Sequence, residues 1–362
     1  MNARGRGAFV VVAASTLILA SCGGTSQHTS AGGAAGRNPA CARGGLPAGR
    51  AWTRITAARG YQLVDLAFRS ACDGILVGAK LGPNGGLGRG VAVKTADAGR
   101  HLVPARLPVV GPLNAVAVAG RQAWAVGNLR GRPEIVESGD GGRTWQTQAL
   151  PPGGGRLNGV FFADAGHGWA VGEGTIFRTD DGGKRWLRVH APAGVELRDV
   201  GFAGRRRGWA VGKTSRAAVV FATLNRGLTW RRALTVPDGI FSGVDVVDGS
   251  HVYAGGAARP ARGGKALLVA TASGGRSWRR VAVPRATDVG GQYFATPARG
   301  WISVASGVGG EIRVTRDGGR RWAVQAGPPL FAAGPFAFVG RSNGWMVGPF
   351  GLFATTDGGG RG

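Results

Sequence analysis

Acidic side chains are scarce in this 362-residue chain: 19 Asp and Glu stand against 45 Lys and Arg, a formal net charge of +26. Five are glutamates (Glu134, Glu137, Glu173, Glu196, Glu311), with no pairing visible in the sequence to suggest joint acid/base work. Histidine is equally sparse, and His28, His101, His167, His190 and His251 show no metal-ligand spacing, so neither a metal nor another cofactor is expected. Tyrosine occurs three times, at Tyr61, Tyr253 and Tyr293. One stretch, "GWAVGKT" (208–214), approaches a phosphate-binding loop but has three residues between its glycines where that loop needs four. Only five of the basic residues are lysine, a bias expected of a GC-rich genome.

No apolar run near the start is long enough for an ordinary membrane helix. Ala8–Ala20 is apolar but short, follows Arg4 and Arg6, and leads directly into "LASC" (19–22). That layout is a secretory signal, and its ending resembles a bacterial lipobox, which implies cleavage after residue 21 and acylation of Cys22. Without an Arg-Arg pair, ordinary Sec export is expected over the twin-arginine route. Residues 22–48 contain almost no large apolar side chain and cannot offset their ordering entropy. They read as a tether with a reach of roughly 25–30 Å. Removal of Arg4 and Arg6 leaves a charge of +24. Such a charge predicts attraction to anionic surfaces, and in an exported protein that means acidic proteins or anionic envelope polymers rather than nucleic acid.

Glycine and proline are abundant (69 and 18 residues), and the glycines recur at fixed offsets. Aligned turns read "TADAGRHL" (95), "SGDGGRTW" (138), "TDDGGKRW" (179), "TLNRGLTW" (223), "TASGGRSW" (271), "TRDGGRRW" (315) and "TTDGGGRG" (355), spaced 43, 41, 44, 48, 44 and 40 residues apart. A period in the forties with short apolar runs and regular turns predicts four-stranded propeller blades. Each unit has a first strand such as "LNGVFF" (157–162) and a second such as "GWAVG" (168–172). A third, such as "GTIFRT" (174–179), leads into the acidic turn, and a fourth starts at a tryptophan, as in "WLRV" (186–189). The seventh unit ends before its fourth strand, and "GRAWTRIT" (49–56) looks like the missing piece. The expectation is an all-β, seven-bladed β-propeller of four-stranded antiparallel blades over 49–362, closed by the N-terminal strand. All eleven tryptophans fall on second or fourth strands, as packing between blades requires.

The turn pattern S/T-x-D-x-G-x-T/S-W resembles the Asp-box, or bacterial neuraminidase repeat. Asp97, Asp140, Asp181, Asp317 and Asp357 hold the acidic place, with Asn225 and Ser273 substituting. An aspartate there can accept following backbone N–H groups, while Gly99, Gly142, Gly183, Gly227, Gly275, Gly319 and Gly359 allow positive φ. These residues mark a fold, and none is expected to be catalytic. "GWAVG" combined with "TxDGGxxW" is most similar to the photosystem II stability and assembly factor family, over essentially all of 49–362. That resemblance implies a propeller with a scaffold role. A sialidase would need three arginines on a carboxylate, a tyrosine activated by a glutamate, and an acid/base aspartate. The "RIP"-type arginine motif of that family is absent.

In a four-stranded blade the 1–2 and 3–4 turns share one face, and the 2–3 loops and blade connections share the other. The second face is expected to be basic, irregular and loop-rich, carrying Lys80, Arg89, Arg130, Arg132, Lys213, Arg216, Arg259, Arg262 and Lys265 as candidate binding residues. The alternative is that these are simply solvated side chains. With Cys22 reserved for lipid, Cys41 and Cys72 can pair in an oxidising compartment or remain two free thiols. The functional expectation is a non-catalytic, monomeric, lipid-anchored binding or assembly scaffold, exported to the outer side of a bacterial cytoplasmic membrane. The contrasting expectation is a carbohydrate-active enzyme using the loop-rich mouth.

Overall fold

The computed structural model describes residues 52–358, apart from 57–59, 260–262, 308, 326–333, 341 and 349–350. The expected leader (1–21), tether (22–48), Cys22, Cys41, Arg262 and Gly359 therefore lie outside the described residues. Twenty-eight strands, β1 to β28, form seven separate four-stranded antiparallel sheets. The first strands are β2 (Tyr61–Phe68), β6 (Leu113–Ala119), β10 (Leu157–Phe162), β14 (Glu196–Ala203), β18 (Gly239–Val246), β22 (Asp288–Phe294) and β26 (Phe336–Val339). Each contacts the next, and β26 contacts β2, so they form a closed inner ring.

The seventh blade takes β1 (Thr53–Thr56) as its outer strand, paired antiparallel with β28 (Gly351–Thr355). The N-terminal strand thus closes the ring, and no blade is left with a missing outer partner. Cys72, in the 1–2 turn of the first blade, is disulfide-bonded.

The stretch "GWAVG" forms β11 (Gly168–Gly172), and both glycines are required by close approach. A Cβ on Gly168 would lie 2.4 Å from the Phe162 ring, and one on Gly172 only 1.8 Å from the Arg156 carbonyl oxygen. The tryptophan between them reaches into the next blade. Trp169 stacks on Phe202 at 3.6 Å between centroids, and its indole N–H donates to the Arg226 carbonyl at 2.9 Å. Trp124 treats Phe162 and Gly182 in the same way, and Trp345 treats Phe68 and Ala98. Each junction therefore gains apolar burial, an aromatic stack and a satisfied polar handle. Trp209 is the exception: it meets Val246, and its indole N–H has no partner among the described residues.

The acidic turns have one geometry. The hydroxyl of Thr179 accepts from Gly183 N–H at 2.8 Å and donates to Asp181 Oδ1, which accepts from Arg185 N–H at 2.9 Å. Gly183 has φ 90°, a region costly for other residues. Asn225 and Ser273 act in the same place, accepting from Thr229 and Ser277 N–H.

Six of the seven first strands also carry a β-bulge near their loop-face end, as between Leu63 and Asp65 and between Leu197 and Asp199. Inner strands have no sheet partner on their inner side, which leaves backbone donors to be satisfied. Asp65 accepts from Val116 N–H at 2.8 Å, Asp199 from Val244 N–H at 2.8 Å, and Asp245 from Phe294 N–H. All three carboxyls are fully buried, and each links one blade to the next.

Candidate binding cleft on the loop-rich face

The 2–3 turns and blade connections meet on one face, and between the third, fourth and fifth blades they enclose a cleft of about 740 Å³. Its lining combines three carboxylates (Glu173, Glu196, Asp238), three cations (Lys213, Arg216, Arg259) and the apolar Val195, Ala217 and Ile240. Volume and mixture suit a ligand held by a few polar contacts over an apolar surface.

The walls are tied together by backbone bonds. Gly174 N–H donates to the Val195 carbonyl at 2.9 Å, and Asp238 N–H donates to the Arg216 carbonyl at 2.9 Å. Arg259 N–H in turn donates to the Asp238 carbonyl. Glu196 is held between Lys213 Nζ at 3.3 Å and Arg198 Nη2 at 3.0 Å, while Arg156 Nε lies 3.8 Å from Glu173. Arg259 follows the second strand directly and has φ 50°, the same value as Gly307 at that position in the sixth blade. A non-glycine residue there costs about 1 kcal/mol, and such strain clusters at functional sites. Arg130 repeats the feature in the second blade with φ 52°.

Of the candidate residues read from sequence, the structure brings Lys213, Arg216 and Arg259 together at this cleft. Lys80, Arg89, Arg130, Arg132 and Lys265 do not line it. The loops are also tighter than the sequence suggested. Lys80 lies in β3 (Gly74–Leu81), Arg89 in β4 (Leu87–Thr95) and Arg132 opens β8 (Arg132–Ser138). Lys213 ends β15 (Arg207–Lys213), and Lys265 opens β20 (Lys265–Thr271). Strand pairing extends into glycine-rich stretches because backbone bonding does not need side chains. Glu173, Glu196 and Asp238 were not anticipated as neighbours, since they come from three different segments; only the blade alignment could have placed them on one face.

Two of the three tyrosines, Tyr253 and Tyr293, are buried packing residues. Tyr253 stacks on Phe294 and donates to the Pro297 carbonyl, Tyr293 packs against Phe338, and burial pushes both phenols up. The carboxyls most raised by burial lie in the interior rather than in the cleft: Asp65 is pushed up to about 8 and Asp199 well above its ordinary value. No group of three metal-ligating side chains occurs among the described residues.

No protein-family model matches the chain, and no curated protein sequence matches it. Solved structures do. YCF48 bound to D1 peptide aligns with a TM-score of 0.65 at 18% identity, covering 84% of this chain and 96% of that one. YCF48 from Cyanidioschyzon merolae gives 0.65 at 18% identity, over 85% and 99%. The GH74 xyloglucanase from Xanthomonas campestris gives 0.62 at 14% identity, over 85% of this chain but 53% of that enzyme. At these identities the likeness is one of fold: the chain shares its seven-bladed propeller with a peptide-bound YCF48 and with part of a glycoside hydrolase.

Proposed function

We propose that this protein is a non-catalytic, exported propeller, anchored by lipid at Cys22 to the outer side of a bacterial cytoplasmic membrane. It binds a protein partner through the loop-rich cleft and acts as a binding or assembly scaffold. The observation that carries this reading is the cleft itself, where Lys213, Arg216 and Arg259 converge beside apolar side chains. Fixed charges of both signs select a partner by complementarity rather than by reaction. The fold likeness to YCF48 bound to D1 peptide supports the same reading. In this scheme Cys41 partners Cys72 and leaves Cys22 for acylation; a digest mapped by mass spectrometry without reduction should contain the Cys41–Cys72 peptide pair.

The test is affinity capture of the lipidated protein from its own membranes in mild detergent, beside a Lys213→Glu/Arg216→Glu variant. A protein that is retained by the parent, released by salt and absent from the variant is the expected outcome. Retention of the same set by both would remove the cleft from the proposal. A second reading, a carbohydrate-active enzyme, rests on the three carboxylates of the same cleft and the fold likeness to GH74. Hydrolysis of a β-glucan that is abolished by Glu173→Gln or Asp238→Asn would establish that reading instead.

A further inference from the structure

The seven acidic turns are internal controls for one another, and the turn of the fourth blade departs from most of its sisters in four ways. Its second position is Leu224, where the others carry Ala96, Gly139, Asp180, Ala272, Arg316 and Thr356. Its sixth is Leu228, where the first, second, third, fifth and sixth blades carry Arg100, Arg143, Lys184, Arg276 and Arg320. These leucines are 49% and 54% exposed. The acidic place holds neutral Asn225. The residue after it, Arg226, has φ 64°, where five sister turns use glycine and the first uses Ala98.

The surroundings are basic. Arg226 N–H donates to the Arg206 carbonyl, which joins this turn to the "GRRRG" turn (204–208) of the same blade. Leu224, Ala203 and Arg205 to Arg207 line a depression of about 500 Å³. Arg205 reaches sideways to Asp164 at 2.7 Å, and Arg207 donates to the Gly249 carbonyl at 3.0 Å. The side chains of Arg206 and Arg226 are exposed and have no partner among the described residues. The next turn, in the fifth blade, also lacks its carboxylate, having Ser273 there. One sector of this face therefore combines projecting leucines with uncompensated guanidinium groups.

The chain enters the propeller on this same face. β1 runs antiparallel to β28, which ends at the acidic turn of the seventh blade, so Trp52 lies at the turn side.

We propose that the fourth-blade corner is a membrane-docking site for an anionic bilayer. Leu224 and Leu228 enter the headgroup–acyl boundary, and Arg206 and Arg226 pair with lipid phosphates. A bilayer fits better than a protein groove-filler, because both leucines are about half exposed and Leu228 stands outside the depression that Leu224 borders. Docking there turns the loop-rich cleft away from the membrane. The proposal is independent of the cleft's ligand and of acylation.

The experiment uses residues 22–362 carrying Cys22→Ser, so that neither the apolar leader nor an acyl group contributes. Vesicles of phosphatidylcholine alone are compared with vesicles also containing phosphatidylglycerol. Binding is read by flotation and by amide hydrogen exchange at 224–230, with the second-blade turn (138–145) as internal reference. Exchange at 224–230 should slow only with the anionic vesicles, and added salt should reverse it. Leu224→Ser/Leu228→Ser should weaken binding by about tenfold or more. Arg206→Gln and Arg226→Gly should each weaken it by about fivefold. All four side chains are exposed, so no variant should unfold below the parent, and Arg226→Gly, which relieves a positive φ, should unfold at or slightly above it. Equal protection by neutral vesicles, protection elsewhere but not at 224–230, or leucine variants that bind like the parent would each overturn the proposal. Preference of the corner for soluble polyglutamate over anionic vesicles would transfer it to an acidic protein.

Discussion

Asp140 in a rim turn and Asp65 in the inner ring perform the same local task in opposite media. Both accept backbone N–H groups that no sheet partner satisfies: Asp140 takes those of Arg143 and Thr144, and Asp65 takes that of Val116. At the rim, bonds from the Thr144 hydroxyl and N–H hold the Asp140 carboxyl well below the usual carboxylate range. In the ring, burial dominates and pushes Asp65 up to about 8, against the N–H bonds of Val116 and Leu66. Hydrogen bonding thus decides the charge state where water solvates the other lone pairs, and desolvation decides it where water is absent.

The two environments give pH dependences of opposite sign. Folded Asp65 retains a proton that the unfolded chain releases above about 4, so its contribution to stability declines as pH rises from about 4 to about 8. Asp140 behaves conversely: its contribution is present above the ordinary carboxylate value of 3.8 and is lost as pH falls through its lower folded value. The largest expected effect follows from this contrast. Asp65→Asn keeps an acceptor for Val116 and removes the titration. In urea denaturation at pH 5 and pH 9, the parent should lose on the order of 4 kcal/mol more than the variant between the two values. Parallel behaviour of parent and variant would show that Asp65 titrates normally.

A smaller effect is expected at the rim. Asp140→Ala removes an acceptor shared by two backbone donors and by the Ser138 and Thr144 hydroxyls, and should cost about 1 kcal/mol at pH 7. The cost should shrink when both proteins are compared at a pH low enough to protonate the parent's turn. The smallest effect sharpens the comparison from the other side. Ser273→Asp restores a carboxylate where Ser277 N–H already donates to the Ser273 hydroxyl at 3.0 Å, and should stabilise by a few tenths of a kcal/mol at pH 7. Destabilisation on calorimetry would mean that the fifth-blade turn is shaped for serine.

Most of the architecture is legible in the sequence. The glycine of each turn, the tryptophan at each second or fourth strand and the orphan strand at 49–56 are local features repeated at one spacing. Repetition averages out the ambiguity of any single short strand. Trp169 was legible as blade packing, although its partners, Phe202 and the Arg226 carbonyl, were not, because they belong to the next repeat. The cleft was readable in part. Arg216 and Arg259 could be placed on the loop-rich face, but their meeting with Glu173, Glu196 and Asp238 depends on the curvature of three consecutive blades. Asp65, Asp199 and Asp245 escaped notice entirely, since an acidic residue inside an apolar strand gives no periodic signal.

The sequence by itself therefore determined the blade count, the closure by the N-terminal strand and the chemistry of each turn, all set by residues within one repeat or by a plain count of repeats. Tertiary structure alone decided which side chains from separate blades share the cleft and which carboxyls lose contact with water. Those outcomes depend on the radial placement of one blade against the next, and burial and charge pairing act through distance in space rather than distance along the chain.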